Sequence, residues 1–162
     1  MSMVHLVFGP QGAGKTTHAR ALAARIGGVR FSIDEWMAQL FAPDLPATMD
    51  WAWIMARVQR CEQRIWATAM DVAAAGTGVV LDLGLLQAQK RRHFHVLASV
   101  AGHEARWHFV DAPLALRRER VLARNVERGD TFAFEVTPAM FDFMEARFEP
   151  PQPSEFVSSG VV

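Results

Sequence analysis

The chain has a single cysteine, Cys61, among 162 residues, so no intramolecular disulfide can form and a reducing compartment is expected. It has no excess charge either. The 17 Lys and Arg residues balance the 17 Asp and Glu, which removes the global field that draws proteins to nucleic acid or anionic membrane. Any basic site must therefore be local. No apolar run reaches the roughly 18 residues that a membrane-spanning helix needs, because Arg, Asp or Gly interrupts each one. Residues Met1 to Ala13 lack the basic start and long apolar stretch of a secretion signal, and the cytoplasm is the expected location. His5, His18, His95, His103 and His108 show no metal-ligand spacing, and Cys61 falls on an apolar helix face, so all of them read as structural. There is no Asn-Lys-x-Asp signature of guanine recognition, no internal repeat and no low-complexity stretch.

What is present is the balance of a folded protein, 51% hydrophobic and 21% charged. The length suits one compact unit over residues 1–162, expected as a monomer or small homo-oligomer. Strand signals at Val4–Phe8, Val29–Ile33, Val79–Leu81 and Trp107–Val110 alternate with helix signals at Thr17–Ile26, Trp51–Val72 and Gln87–Val100. Two further helices are predicted, one from Asp111-Ala112-Pro113 to about Asn125 and one from Thr137-Pro138 to Phe148. Asp50 is placed to cap the long helix, and Ala42 to Asp50, with two prolines, reads as a loop. A short final strand near Glu155 to Ser158 would complete the set. The alternation predicts an α/β fold: three α/β/α layers around a mostly parallel five-stranded sheet, with ligands bound beyond the C-terminal strand ends.

The segment Gly9-Pro10-Gln11-Gly12-Ala13-Gly14-Lys15-Thr16 lies between the first strand and the first helix. Its glycines let successive N–H groups face phosphate oxygens, and the helix N-terminus adds positive potential. Lys15 would neutralise the β and γ phosphates, and the Thr16 hydroxyl would bind Mg²⁺. Gly9, Gln11, Gly12, Ala13, Gly14, Lys15, Thr16 and Thr17 are thus the expected ATP-binding residues.

Asp34 stands at the end of the second strand. There it can take the proton of an attacking hydroxyl, or it can cap the short helix Glu35–Leu40. Asp82 ends the third strand, where a carboxylate can hold Mg²⁺, contact substrate or merely terminate the strand. Arg117, Arg120, Arg124 and Arg128 fall on one helix face, suited to a closing triphosphate clamp, with Arg120 and Arg124 as the leading pair. Lys90, Arg91, Arg92 and His93 form a second basic cluster, which a solvated helix face explains as well as substrate binding does; Arg92 is its substrate candidate. Trp36, Met37, Phe41, Trp51 and Trp53 surround the loop after Asp34 and can wall an acceptor pocket or pack in the core.

The order of these parts resembles the small P-loop kinases of the AAA_33 type, related to gluconate kinase, chloramphenicol phosphotransferase, phage polynucleotide kinase and the zeta toxins. The resemblance spans nearly the whole chain. It is carried by Gly9–Thr16, Ser32-Ile33-Asp34, Val79-Val80-Leu81-Asp82, Glu119-Arg120 with Arg124, and Phe148-Glu149-Pro150-Pro151 with Glu155. It implies that Asp34 is the base or a substrate ligand, that Arg120 and Arg124 belong to a lid over about 117–136, and that the segment after the last helix helps hold adenine. One departure stands out: polynucleotide kinase-like sequences place an arginine soon after the aspartate, whereas Glu35-Trp36-Met37-Ala38 follows Asp34 here. A small-molecule hydroxyl acceptor is therefore the expectation, ahead of a polynucleotide or nucleoside 5′-hydroxyl and of a non-catalytic ATP-binding switch.

Overall fold

The computed structural model describes residues 3–129 and 135–156. The apolar runs form strands β1 (Met3–Phe8), β2 (Val29–Ser32), β3 (Val79–Gly84) and β4 (Glu104–Phe109). They pair in the order β2-β3-β1-β4, every pair parallel. Between and after them run α1 (Lys15–Ile26), α2 (Ile33–Phe41), α3 (Trp51–Ala74), α4 (Ala88–Val100), α5 (Leu114–Glu127) and α6 (Pro138–Glu145).

Successive strand side chains point to opposite faces, and both faces of this sheet are covered. On one side Val7 and Val80 meet Ala19, Leu22 and Ala23 of α1. On the other, Leu6, Phe8, Leu81 and Trp107 meet Cys61, Ile65 and Ala69 of α3 and Phe94 and Ala98 of α4. Three layers result, as expected.

The sheet has four strands rather than five among the described residues. Pro153–Phe156 coils into a 3₁₀ turn, and 157–158, the rest of the expected strand, lie outside the described residues. Proline cannot donate to a ladder, and the local bonds favour the turn: Glu155 N donates to Gln152 O at 2.9 Å while Gln152 N donates to Glu155 Oε1 at 3.0 Å.

Helix ends follow capping chemistry, with shifts that matter for the site. Asp50 and Thr137 cap α3 and α6 by accepting from Trp53 N and Met140 N. α2 starts earlier than expected, because Ser32 Oγ accepts from Glu35 N. Asp34 therefore sits inside the first turn of α2 and is neither a strand terminus nor the cap. Pro113 occupies the cap position of α5 instead of its first turn, and the Asp111 carboxylate accepts from Ala112 N. β3 continues to Gly84, so Asp82 is held within a strand.

Candidate functional site

Beyond Phe8 the chain can turn only because residue 9 has no side chain. Gly9 adopts φ +146°, and a Cβ there would lie 2.0 Å from Val110 O. Gly12 is fixed in the same way: its φ is +72°, and a Cβ would lie 2.4 Å from Arg117 O. The loop then enters α1, whose N-terminus has no side-chain cap, leaving its first N–H groups directed at whatever binds in the loop. Lys15 Nζ donates to Pro10 O at 2.8 Å. Gln11 Nε2 is buried without a hydrogen-bond partner, a donor for which a phosphate oxygen is a fitting acceptor.

Asp82 lies beneath the loop at 4% exposure. Burial, then the neighbouring Asp34, push its pKa up to about 6, opposed by Lys15, Arg30 and a hydrogen bond from Thr16. Burial holds the Lys15 ammonium below its usual range, against the pull of Asp34 and Asp82 and with the push of Arg124 and Arg117. The Arg124 guanidinium is likewise lowered by burial, with Asp34 favouring its charge and Arg120 opposing it. Lys15 thus interacts with Asp34, Asp82 and Arg124, and Asp34 in turn with Asp82 and Arg124. Arg30 was not singled out from sequence. On β2 it donates to Asp82 at 3.3 Å and pairs closely with Glu35, which Arg20 also contacts at 3.4 Å. The available signal was the two-residue alternation of Val29-Arg30-Phe31-Ser32, which turns Arg30 away from the Phe31 core face.

The four arginines expected on one helix face divide. Arg117 is buried; it grips Glu145 of α6 and donates to Ala112 O at 2.8 Å and Gln11 O at 3.3 Å. Its donors are committed to protein, so it is a strut and not a phosphate ligand. Arg120 donates to Gly12 O at 3.3 Å, above the loop. Arg124 is half-buried and lines the cleft. Arg128 ends the helix with φ +47° and donates to Asn125 O. Asn125 joins Val136 through two hydrogen bonds of 2.7 and 2.9 Å, and Phe143 of α6 stacks on Trp51 with centroids 4.1 Å apart. Of the expected lid over 117–136, residues 130–134 lie outside the described residues.

The second basic cluster divides as well. Lys90 pairs with Glu62. Arg91, 1% exposed, donates to Leu85 O, Glu149 O and Glu155, tying the C-terminal segment to the β3–α4 connection. Arg92 and His93 are exposed.

The cleft is a cavity of about 1240 Å³, larger than the roughly 300–1,000 Å³ usual for one small ligand. Gln11, Gly12, Ala13, Gly14, Lys15, Thr16, Thr17, Asp34, Arg120 and Arg124 all line it, as do Met37 and Trp51. Gly9 and Asp82 are not among its lining residues. Trp36 packs against the core instead, while Phe41 and Trp53 make an edge contact beside Arg57. Neither Arg92 nor any described residue of 148–156 lines the cavity, so the segment expected at adenine is bound to the β3–α4 connection in this arrangement.

Among the described residues no group of three or more His, Cys, Asp or Glu could hold a metal. The Thr16 hydroxyl and Asp82 carboxylate are nonetheless hard oxygen donors joined by a hydrogen bond. That pair fits Mg²⁺, which keeps water and phosphate as its other ligands. No described helix is long and apolar enough to cross a membrane.

A glycine loop joining a parallel strand to a helix, with a lysine at the helix start and a buried carboxylate on the neighbouring strand, defines the P-loop NTPase fold. More specifically, the chain belongs to the AAA_33 family, described as AAA domain, which matches residues 4–151. Among solved structures it is similar to Kti12 of Chaetomium thermophilum in complex with ADP-AlF3, with a TM-score of 0.68 at 20% identity, covering 98% of this chain and 88% of that one. It is also similar to the APS kinase of Mycobacterium tuberculosis in complex with AMPPNP and APS, with a TM-score of 0.64 at 18% identity, covering 93% and 84%. A gluconokinase from Sinorhizobium meliloti gives 0.58 at 19% identity, covering 99% and 81%. At such identities the likeness establishes the fold. No curated protein matches the chain.

Proposed function

We propose that this protein is an ATP-dependent kinase that transfers the γ-phosphate to a hydroxyl of a small-molecule acceptor. The observation that carries the reading is the placement of Asp34: it lines the same cavity as Lys15 and Arg124 and is electrostatically coupled to both. Beyond it the cavity has room for a second ligand. A binding-only site would need the loop but not this carboxylate.

The loop N–H groups and Gln11 hold the phosphates, and Lys15 exchanges its bond to Pro10 O for the β and γ oxygens. Thr16 and Asp82 would hold Mg²⁺, which neutralises phosphate charge when bound. Asp34 orients the acceptor hydroxyl and takes its proton as the new O–P bond forms and the bond to the ADP oxygen breaks. Arg124 and Arg120 stabilise the charge that spreads over the transferring group. The test is transfer from γ-labelled ATP to a panel of sugars, nucleosides, hydroxylated antibiotics and 5′-hydroxyl oligonucleotides. Label should reach one acceptor and be lost in Lys15→Ala and Asp34→Asn. Tight ATP binding with no transfer to any acceptor would favour a nucleotide-dependent switch instead.

A further inference from the structure

Away from the phosphate loop the cleft changes character. Its walls there are Met37 of α2, Ile54, Met55 and Val58 of α3, and Leu83 and Leu85 from the end of β3. Met55 is 44% exposed and adds an accessible apolar surface to these walls. The α3 residues recur at the turns of one helix face, and Glu62 continues that face one turn beyond Val58. Glu62 is 8% exposed, and Lys90 donates to both of its oxygens, at 2.7 and 2.6 Å. The pair is neutral as a unit. Its carboxylate is satisfied, while an ammonium with three protons keeps one for a ligand.

A polyol placed on these walls would set several hydroxyls against methionine, isoleucine and valine, and each hydroxyl desolvated there without a partner carries a cost. A formal charge would gain little from a neutral ion pair. An apolar body suits the walls, and the unbranched thioethers of Met37 and Met55 can adapt to rings or aliphatic chains. Resting on the kinase reading above, we propose that the acceptor is a predominantly apolar alcohol. Its hydroxyl meets Asp34, and elsewhere on its body a neutral hydrogen-bond acceptor, such as an amide carbonyl, takes a bond from Lys90.

The probes are an aryl-alkyl amide alcohol, a hydrocarbon alcohol of equal size, gluconate and a 5′-hydroxyl oligonucleotide. Each is given to the full chain with γ-labelled ATP, and binding is measured separately by calorimetry with a non-hydrolysable ATP analogue. The amide alcohol should be phosphorylated at least tenfold more efficiently than gluconate or the oligonucleotide. Met55→Asp should raise its KM tenfold or more while leaving the Kd for ATP unchanged. The double variant Glu62→Gln/Lys90→Met, which leaves no buried charge unpaired, should erase the preference for the amide over the hydrocarbon alcohol. Efficient transfer to gluconate or the oligonucleotide with the apolar alcohols inert would overturn this acceptor class and leave the kinase standing. Apolar alcohols that bind without label reaching any probe would support the apolar compartment and remove the kinase reading. No binding of either apolar alcohol would overturn the proposal outright.

Discussion

Arg117 and Glu145 share two hydrogen bonds of 2.7 Å each, and the same guanidinium reaches back to Gln11 O in the phosphate loop. One side chain thus joins α5, α6 and the nucleotide site. A bidentate guanidinium–carboxylate pair is the strong form of this contact, and removing one partner strands the other. Arg117→Met is expected to lower stability by roughly 2–4 kcal/mol in urea unfolding. The double variant Arg117→Met/Glu145→Leu should cost less than the sum of the two single changes. An additive result would mean that the pair is not coupled in solution.

Asp82 carries a different signature, that of a group held at the expense of stability. Its pKa is raised to about 6 by burial and by Asp34. A carboxyl raised above its unfolded value contributes fully at low pH, and that contribution is lost as pH rises through about 6. Asp82→Asn should therefore stabilise the nucleotide-free protein by roughly 1–3 kcal/mol at pH 7.5, with little gain at pH 4. The same variant should lose most of the thermal shift produced by Mg²⁺ and ATP. Melting curves at the two pH values, with and without Mg²⁺-ATP, check both halves; a variant destabilised at pH 7.5 would contradict them.

Histidines of three elements form a chain on the α1 side of the sheet. His108 Nε2 lies 2.9 Å from His5 Nδ1, and His108 Nδ1 lies 3.3 Å from His18 Nε2. Burial, then the neighbouring imidazoles, lower the His108 pKa to about 4, and His5 and His18 are lowered mainly by burial. Below about pH 6.5 the unfolded chain binds protons that the native state refuses, so stability should fall from pH 6.5 toward 4, by about 1–2 kcal/mol for this group. His108→Gln should flatten that slope in denaturant midpoints measured across the range. An unchanged slope would place the acid sensitivity elsewhere.

The phosphate loop and the α/β alternation were legible in the sequence because both are local. The glycine spacing and the two periodicities are written in consecutive residues, and the caps Asp50 and Thr137 act within three positions. The corrections among the basic residues involve partners distant in sequence. Nothing near Arg117 in the chain announces Glu145, and Arg120 and Arg117 look alike until α6 is in place. Lys90, Arg91 and Arg92 are consecutive, yet they face Glu62, Glu155 and solvent respectively. Asp82 could be named as a strand carboxylate, but its raised pKa comes from burial under the loop and from Asp34. Within the described residues, the turn at Pro153–Phe156 reflects a contest between weak β signals and the prolines beside Glu155, which the Arg91 ion pair helps to settle.

On the kinase reading, replacing Asp34 is the change that would separate binding from chemistry most sharply. Its charge favours the protonated forms of Lys15 and Arg124 and disfavours ionised Asp82, while its carboxylate faces the cleft where a triphosphate would add more negative charge. Replacing it with Asn keeps the shape of the first turn of α2, whose cap belongs to Ser32, so folding should be preserved. ATP should bind as tightly as before or more so, because a repulsive charge has gone. Phosphoryl transfer should fall by about 10²–10⁴-fold, the usual contribution of a positioned general base. Calorimetry for ATP beside single-turnover transfer resolves the two. If transfer survives with ATP affinity unchanged, the acceptor hydroxyl is activated by another group, and Glu35, held by Arg30 and Arg20 on the next position of the same helix, becomes the residue to test.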